Sequence, residues 1–101
     1  MSVTFFADAA VEEVNMANAN AARVLDVLGY DELAGDAEAD DFLGRVLVAL
    51  ALVPADTGRP PTAEGRFVDC GRRAGYVLER LEDLRVLAEE ARASGLPVYW
   101  G

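Results

Sequence analysis

The stretch from Asp41 to Val53, DFLGRVLVALALV, constrains the fold of this chain more than any other. After its opening Asp it is apolar except at Gly44 and Arg45. A helix that is apolar on nearly every side has to be buried on nearly every side. At 1.5 Å per residue it would be roughly 20 Å long, well short of the roughly 30 Å needed to cross a bilayer. The expectation is a buried central helix in a soluble domain, ended by Pro54, which cannot continue the helical hydrogen-bond ladder.

At 101 residues the chain is expected to form a single small, mostly helical domain, 1–101. Roughly a third of its unfolded surface would stay wet, so self-association would help it. Its net charge of -9 weighs against direct nucleic-acid binding and against an anionic membrane surface. That charge is uneven. Residues 1–41 hold Asp8, Glu12, Glu13, Asp26, Asp31, Glu32, Asp36, Glu38, Asp40 and Asp41 against Arg23 alone, whereas acids and arginines balance from residue 42 onward. There is no His, so the usual general base near neutral pH and the commonest metal ligand are both missing. The single cysteine, Cys70, permits no internal disulfide and fits a reducing, cytoplasmic setting. No basic region followed by an apolar stretch marks a secretion signal.

Val3–Ala7 is short, β-branched and aromatic, and Val11–Met16 is expected to pair with it as a hairpin. The rival is one helix from Asp8 to Leu28, because Val11, Val14, Ala17, Ala21, Val24, Leu25 and Leu28 also share a helical face. Three asparagines in six residues favour the hairpin, with Asn18 capping a helix over 19–28 and Gly29 ending it in the left-handed conformation. The acidic segment DELAGDAEADD reads as a loop in which Asp36 caps the central helix. After Pro54 comes a loop of about fifteen residues, with a short strand at 66–68. Asp69 then caps a last helix whose apolar stripe is Val77, Leu81, Leu84, Ala88 and Ala91; Gly95 stops it, and Val98–Trp100 forms a strand that joins the hairpin. The expected fold is α+β, three helices around a buried central helix with a small β-sheet from the chain ends, the alternative being all-α.

Three groups of residues could carry binding. Arg59, Arg66, Arg72 and Arg73 crowd one loop leading to a helix start, where planar guanidinium groups and free backbone N–H groups suit carboxylate or phosphate. Pairing with the acidic first 41 residues explains the same arginines without any ligand. Asn15, Asn18 and Asn20 offer amide donors and acceptors fit for a purine edge or ribose, although capping and turn chemistry also account for them. Tyr76 and Trp100 could stack a base, or simply tie chain ends to the core. Cys70 has no His to act as its base, and the adjacent carboxylate pairs point apart or solvate a face. No catalytic residue, cofactor or metal site is expected.

The segments VNMANANAARVLDVLGY, DDFLGRVLVALAL, VDCGRRAGYVLERLEDL and the VYWG ending resemble a group of small actinobacterial and actinophage proteins of unassigned function. The resemblance implies a setting, in which a small phage protein can counter host defence by sequestering a nucleotide signal, and assigns no residue a role. The leading expectation is a non-catalytic, self-associating protein that captures a small anionic, nucleotide-like ligand through Asn15, Asn18, Asn20, Arg59, Arg66, Arg72, Arg73, Tyr76 and Trp100. The alternative is an acidic interaction or inhibitor module of the nucleic-acid-mimic type that docks on a basic protein surface. A structural subunit of a larger assembly is the third reading.

Overall fold

Alternation of apolar and polar side chains sets the N-terminal strands. Val3 and Phe5 turn inward from β1 (Ser2–Phe6), as do Val14 and Met16 from β2 (Val14–Ala17). The computed structural model describes residues 1–8, 12–52 and 75–101. Among these, α1 (Asn18–Leu28), β3 (Gly35–Ala37), α2 (Ala39–Leu52), α3 (Tyr76–Ser94) and β4 (Val98–Trp100) complete an α+β fold. The strands form one antiparallel sheet in the order β2-β1-β4-β3, so strands from both chain ends meet at its centre. The rival single helix over 8–28 is not formed, because Ser2–Phe5 pair with Val14–Ala17.

β2 runs directly into α1, which corrects the expected cap. Ala17 is still paired with Ser2 and occupies the N-cap position, while Asn18 is the first helical residue and its N–H donates to the Met1 carbonyl at 3.3 Å. The N-cap residue Ala17 supplies no side-chain hydrogen bond to the helix. The far end of α1 follows the sequence reading. Gly29 is left-handed (φ 88°), and the N–H groups of Gly29 and Tyr30 donate to the carbonyls of Asp26 and Leu25. Gly95 (φ 69°) closes α3 in the same way.

The acidic segment before α2 departs from its reading as a loop. Gly35–Ala37 is a strand on β4, and Asp36 lies opposite Tyr99 rather than capping a helix. Nothing in a Gly-Asp-Ala triplet favours a strand locally; its partner supplies the pairing. α2 begins at Ala39, its first turn closed by the Phe42 N–H donating to the Glu38 carbonyl at 2.9 Å. Asp40 and Asp41 fall in that first turn, where the helix dipole favours anions.

α2 is also less enclosed than its composition implied. Ala39, Phe42, Leu43, Val46 and Ala49 are buried, but Leu47, Val48 and Leu52 are exposed. Helical periodicity sends those residues to the opposite face, and no described element covers it. α3 packs along α2 and buries Val77, Leu81, Leu84, Leu87, Ala88 and Ala91. The two run antiparallel, Arg92 near the end of α3 meeting Asp40 at the start of α2 at 2.7 Å. The expected cap at Asp69 and strand at 66–68 lie outside the described residues. All the buried apolar side chains described join one cluster drawn from the helices and the sheet's inner face.

Candidate interaction surface

An aromatic group fixes the corner where the sheet meets α2. Trp100 and Phe5 come inward from neighbouring strands with ring centroids 6.2 Å apart, and Phe42 lies 5.9 Å from Trp100 and 6.4 Å from Phe5. Tyr30, just past the α1 cap, is 4.7 Å from Trp100 and 6.0 Å from Phe42. The Trp100 indole N–H donates to the Glu32 carbonyl at 3.1 Å and so pins the acidic connection to the core.

Arg45 lies over the outside of this corner. Its guanidinium is 4.8 Å from the Tyr30 ring centroid, its Nη1 donates to the Leu28 carbonyl at 2.9 Å, and its Nε donates to Asp41 at 3.1 Å. The first of these bonds answers a carbonyl that the end of α1 leaves without a helical partner. The Tyr30 hydroxyl also faces Asp41, at 3.3 Å. Burial first, and then the Asp41 carboxylate, pushes the Tyr30 phenol up to about 12.

The structure scatters the side chains singled out in the sequence. Trp100 is buried on the inner face of the sheet, whereas Asn15 is exposed on β2 beside Ser2 and Thr4, on the outer face. The Asn15 amide is occupied within the sheet, donating to Ser2 Oγ at 3.1 Å and Thr4 Oγ1 at 2.9 Å. The structure therefore places Trp100 and Asn15 on opposite faces of the sheet and does not bring them together. Asn18 and Asn20 are half-buried in the first turn of α1, and Tyr76 is half-buried at the start of α3 with the Arg80 guanidinium 5.7 Å from its ring centroid. Arg59, Arg66, Arg72 and Arg73, with Cys70, lie outside the described residues. Among the described residues no group of three or more His, Cys, Asp or Glu could hold a metal ion.

Charge is organised differently in the two halves of the fold. On α3, Arg80 pairs with Asp83 at 2.6 Å, and Arg85 with both Glu82 and Glu89 at 2.9 Å, so the helix neutralises much of its own charge at three- and four-residue spacing. The connection from α1 to α2 does not. Asp31, Glu32, Asp36 and Glu38, like Asp26 in the last turn of α1, are all exposed and make no ion pair among the described residues, whereas Asp40 and Asp41 at the start of α2 do. β3 adds an open edge to the same surface. Thr4 and Gly101 exchange both backbone hydrogen bonds at 3.0 and 3.1 Å, and antiparallel alternation then turns Trp100 toward Gly35 and leaves the Asp36 N–H and C=O facing outward. The acids were visible in the sequence. Their gathering beside a sheet edge was not, because it depends on β3 pairing with a strand more than sixty residues away.

No helix among the described residues is long and apolar enough to cross a membrane. No protein-family model matches the chain, and neither curated proteins nor solved structures gave a match.

Proposed function

We propose that this protein is a non-catalytic interaction module that presents the acidic surface around β3 to a basic surface on a partner protein. The observation that carries this reading is the contrast between α3, whose charges largely neutralise one another, and the run Asp31, Glu32, Asp36 and Glu38, which is exposed without ion-pair partners among the described residues. Unpaired surface charge of one sign adds little to a fold. It does accelerate and orient encounter with the opposite sign.

The test uses the partner cross-linked to the protein in host extract, with association rates measured across ionic strength. Rates should fall steeply as salt rises, and a variant carrying Asp31→Asn, Glu32→Gln, Asp36→Asn and Glu38→Gln should associate roughly tenfold more slowly at low salt. A rate indifferent to both changes would end this reading.

Capture of a small anionic, nucleotide-like ligand is the second reading. It is supported by the arginine density of residues 59–73 and by Tyr76, whose ring already lies near one guanidinium. Native mass spectrometry of gently purified protein should then reveal a retained mass of a few hundred daltons, lost in Arg72→Ala/Arg73→Ala; retention of that mass in the double variant would exclude those arginines.

A further inference from the structure

The apolar face that α2 turns away from the core is explained neither by the fold nor by the acidic surface. Leu47, Val48 and Leu52 are 47%, 58% and 76% exposed, values at odds with a helix of this composition unless something covers it. Val48 and Leu52 follow Gly44 at four-residue steps on one helical face. With Ala49, and with Val27 near the end of α1, they line an open groove of about 690 Å³. The groove follows α2 from Asp40 to Leu52, about 18 Å at 1.5 Å per residue, the length of some three helical turns.

Gly44 is the second observation. A glycine inside a helix costs about 1 kcal/mol relative to alanine. A Cβ at Gly44 would meet nothing within 4 Å among the described residues, so no close approach by any of them calls for glycine there. A bare backbone in the floor of a groove is what a closely approaching second backbone requires.

Charge decides the kind of occupant. Asp40, Asp41 and Arg45 are the charged residues lining the groove, and Asp41 meets Tyr30, from which the chain continues into Asp31 and Glu32. Asp40 and Asp41, at the end of the groove nearest the start of α2, already pair with Arg92 and Arg45, so the acids left for a partner beside that end are Asp31 and Glu32, which make no ion pair among the described residues, while Gly44, Val48, Ala49 and Leu52 beyond are apolar. A second copy of this chain would bring another net charge of -9 to that surface, whereas a basic partner brings the opposite sign.

We propose that this groove receives one amphipathic basic helix of a partner protein. Its apolar side covers Val27, Gly44, Val48 and Leu52, and its Lys and Arg side chains meet the acids at the Asp31–Asp41 end. The proposal rests on the acidic-module reading and adds the occupant's shape and seat.

The probe is a synthetic three-turn peptide with Leu and Ala on one face and Lys and Arg on the other. A second peptide of the same composition is scrambled so that the apolar residues no longer share a face. Methyl and amide NMR of the full chain reads both. The amphipathic peptide should shift the methyls of Val27, Val48 and Leu52 and bind roughly tenfold more tightly than the scrambled one. Val48→Gln and Gly44→Leu should each weaken it by a similar factor while leaving the far-UV circular dichroism unchanged, since both positions are exposed. If both peptides bind equally and move only amides between Asp31 and Glu38, the groove proposal fails and the acidic surface survives. Absence of binding at low salt overturns both. A dimer of the protein alone, with Val48 and Leu52 covered and dissociated by Val48→Gln, identifies a second copy as the occupant and overturns the proposal.

Discussion

Tyr30 and Gly35 show how single residues bind the acidic connection to the core. The Tyr30 phenol ionises near pH 10 in an unfolded chain and near pH 12 in this fold, so its stabilising contribution is complete below pH 10 and is lost as pH rises from there through about 12. Denaturant unfolding of the wild type should therefore weaken across that window, with a shallower decline in Tyr30→Phe, which has no phenol to titrate. Equal declines in the two proteins would show that Tyr30 is not responsible. Gly35 is governed by space. A Cβ there would lie 2.9 Å from Trp100 Cζ2 and 3.2 Å from Cε2, and the indole is held both by packing and by its bond to Glu32. Gly35→Ala should destabilise the protein by about 1–3 kcal/mol, the usual cost of overpacking a tight site. Emission from Trp100, the chain's single tryptophan, follows that unfolding directly.

At the scale of elements, α2 has two different faces despite its nearly uniform composition. Phe42, Leu43, Val46 and Ala49 belong to the core, whereas Gly44, Leu47, Val48 and Leu52 stay at the surface. The open space around Gly44 gives a prediction opposite in sign to that for Gly35. Gly44→Ala should stabilise the protein by about 1 kcal/mol, because alanine restricts the unfolded chain and suits a helix without meeting any neighbour. A chemical-denaturation midpoint that moves downward instead would mean that the backbone at Gly44 is already closely covered. The sheet makes a similar point. β1, β2 and β4 were readable from alternation and from β-branched and aromatic residues. β3 was not, since Gly35, Asp36 and Ala37 have no strand preference and become a strand through β4.

Across the described residues, negative charge is concentrated between α1 and α2, where Asp31, Glu32, Asp36 and Glu38 have no ion-pair partner among them. Like charges confined to the connection between α1 and α2 repel one another in the folded state, and that repulsion is screened over about 8 Å at physiological salt. Thermal stability should therefore rise between low and physiological ionic strength. It should rise less in the variant neutralised at Asp31, Glu32, Asp36 and Glu38, as calorimetry at several salt concentrations would reveal. An equal response in both would locate the repulsion elsewhere in the chain.

The sequence by itself determined the helices described here and the glycine stops of α1 and α3, the strand character of the two chain ends, and the imbalance of charge between residues 1–41 and the remainder. Those are local properties: apolar spacing, left-handed glycine and composition act within a few residues. Candidate binding residues were much less legible. Asn15 and Trp100 have suitable chemistry for a ligand, but strand pairing sends them to opposite faces and gives both of them hydrogen-bond partners in the chain. Tertiary structure alone decided that Gly35–Ala37 would be a strand and that no described element would cover one side of α2. Each depends on which distant element lies alongside, and neither Trp100 beside Gly35 nor the open space beside Gly44 is encoded within reach of the residues concerned.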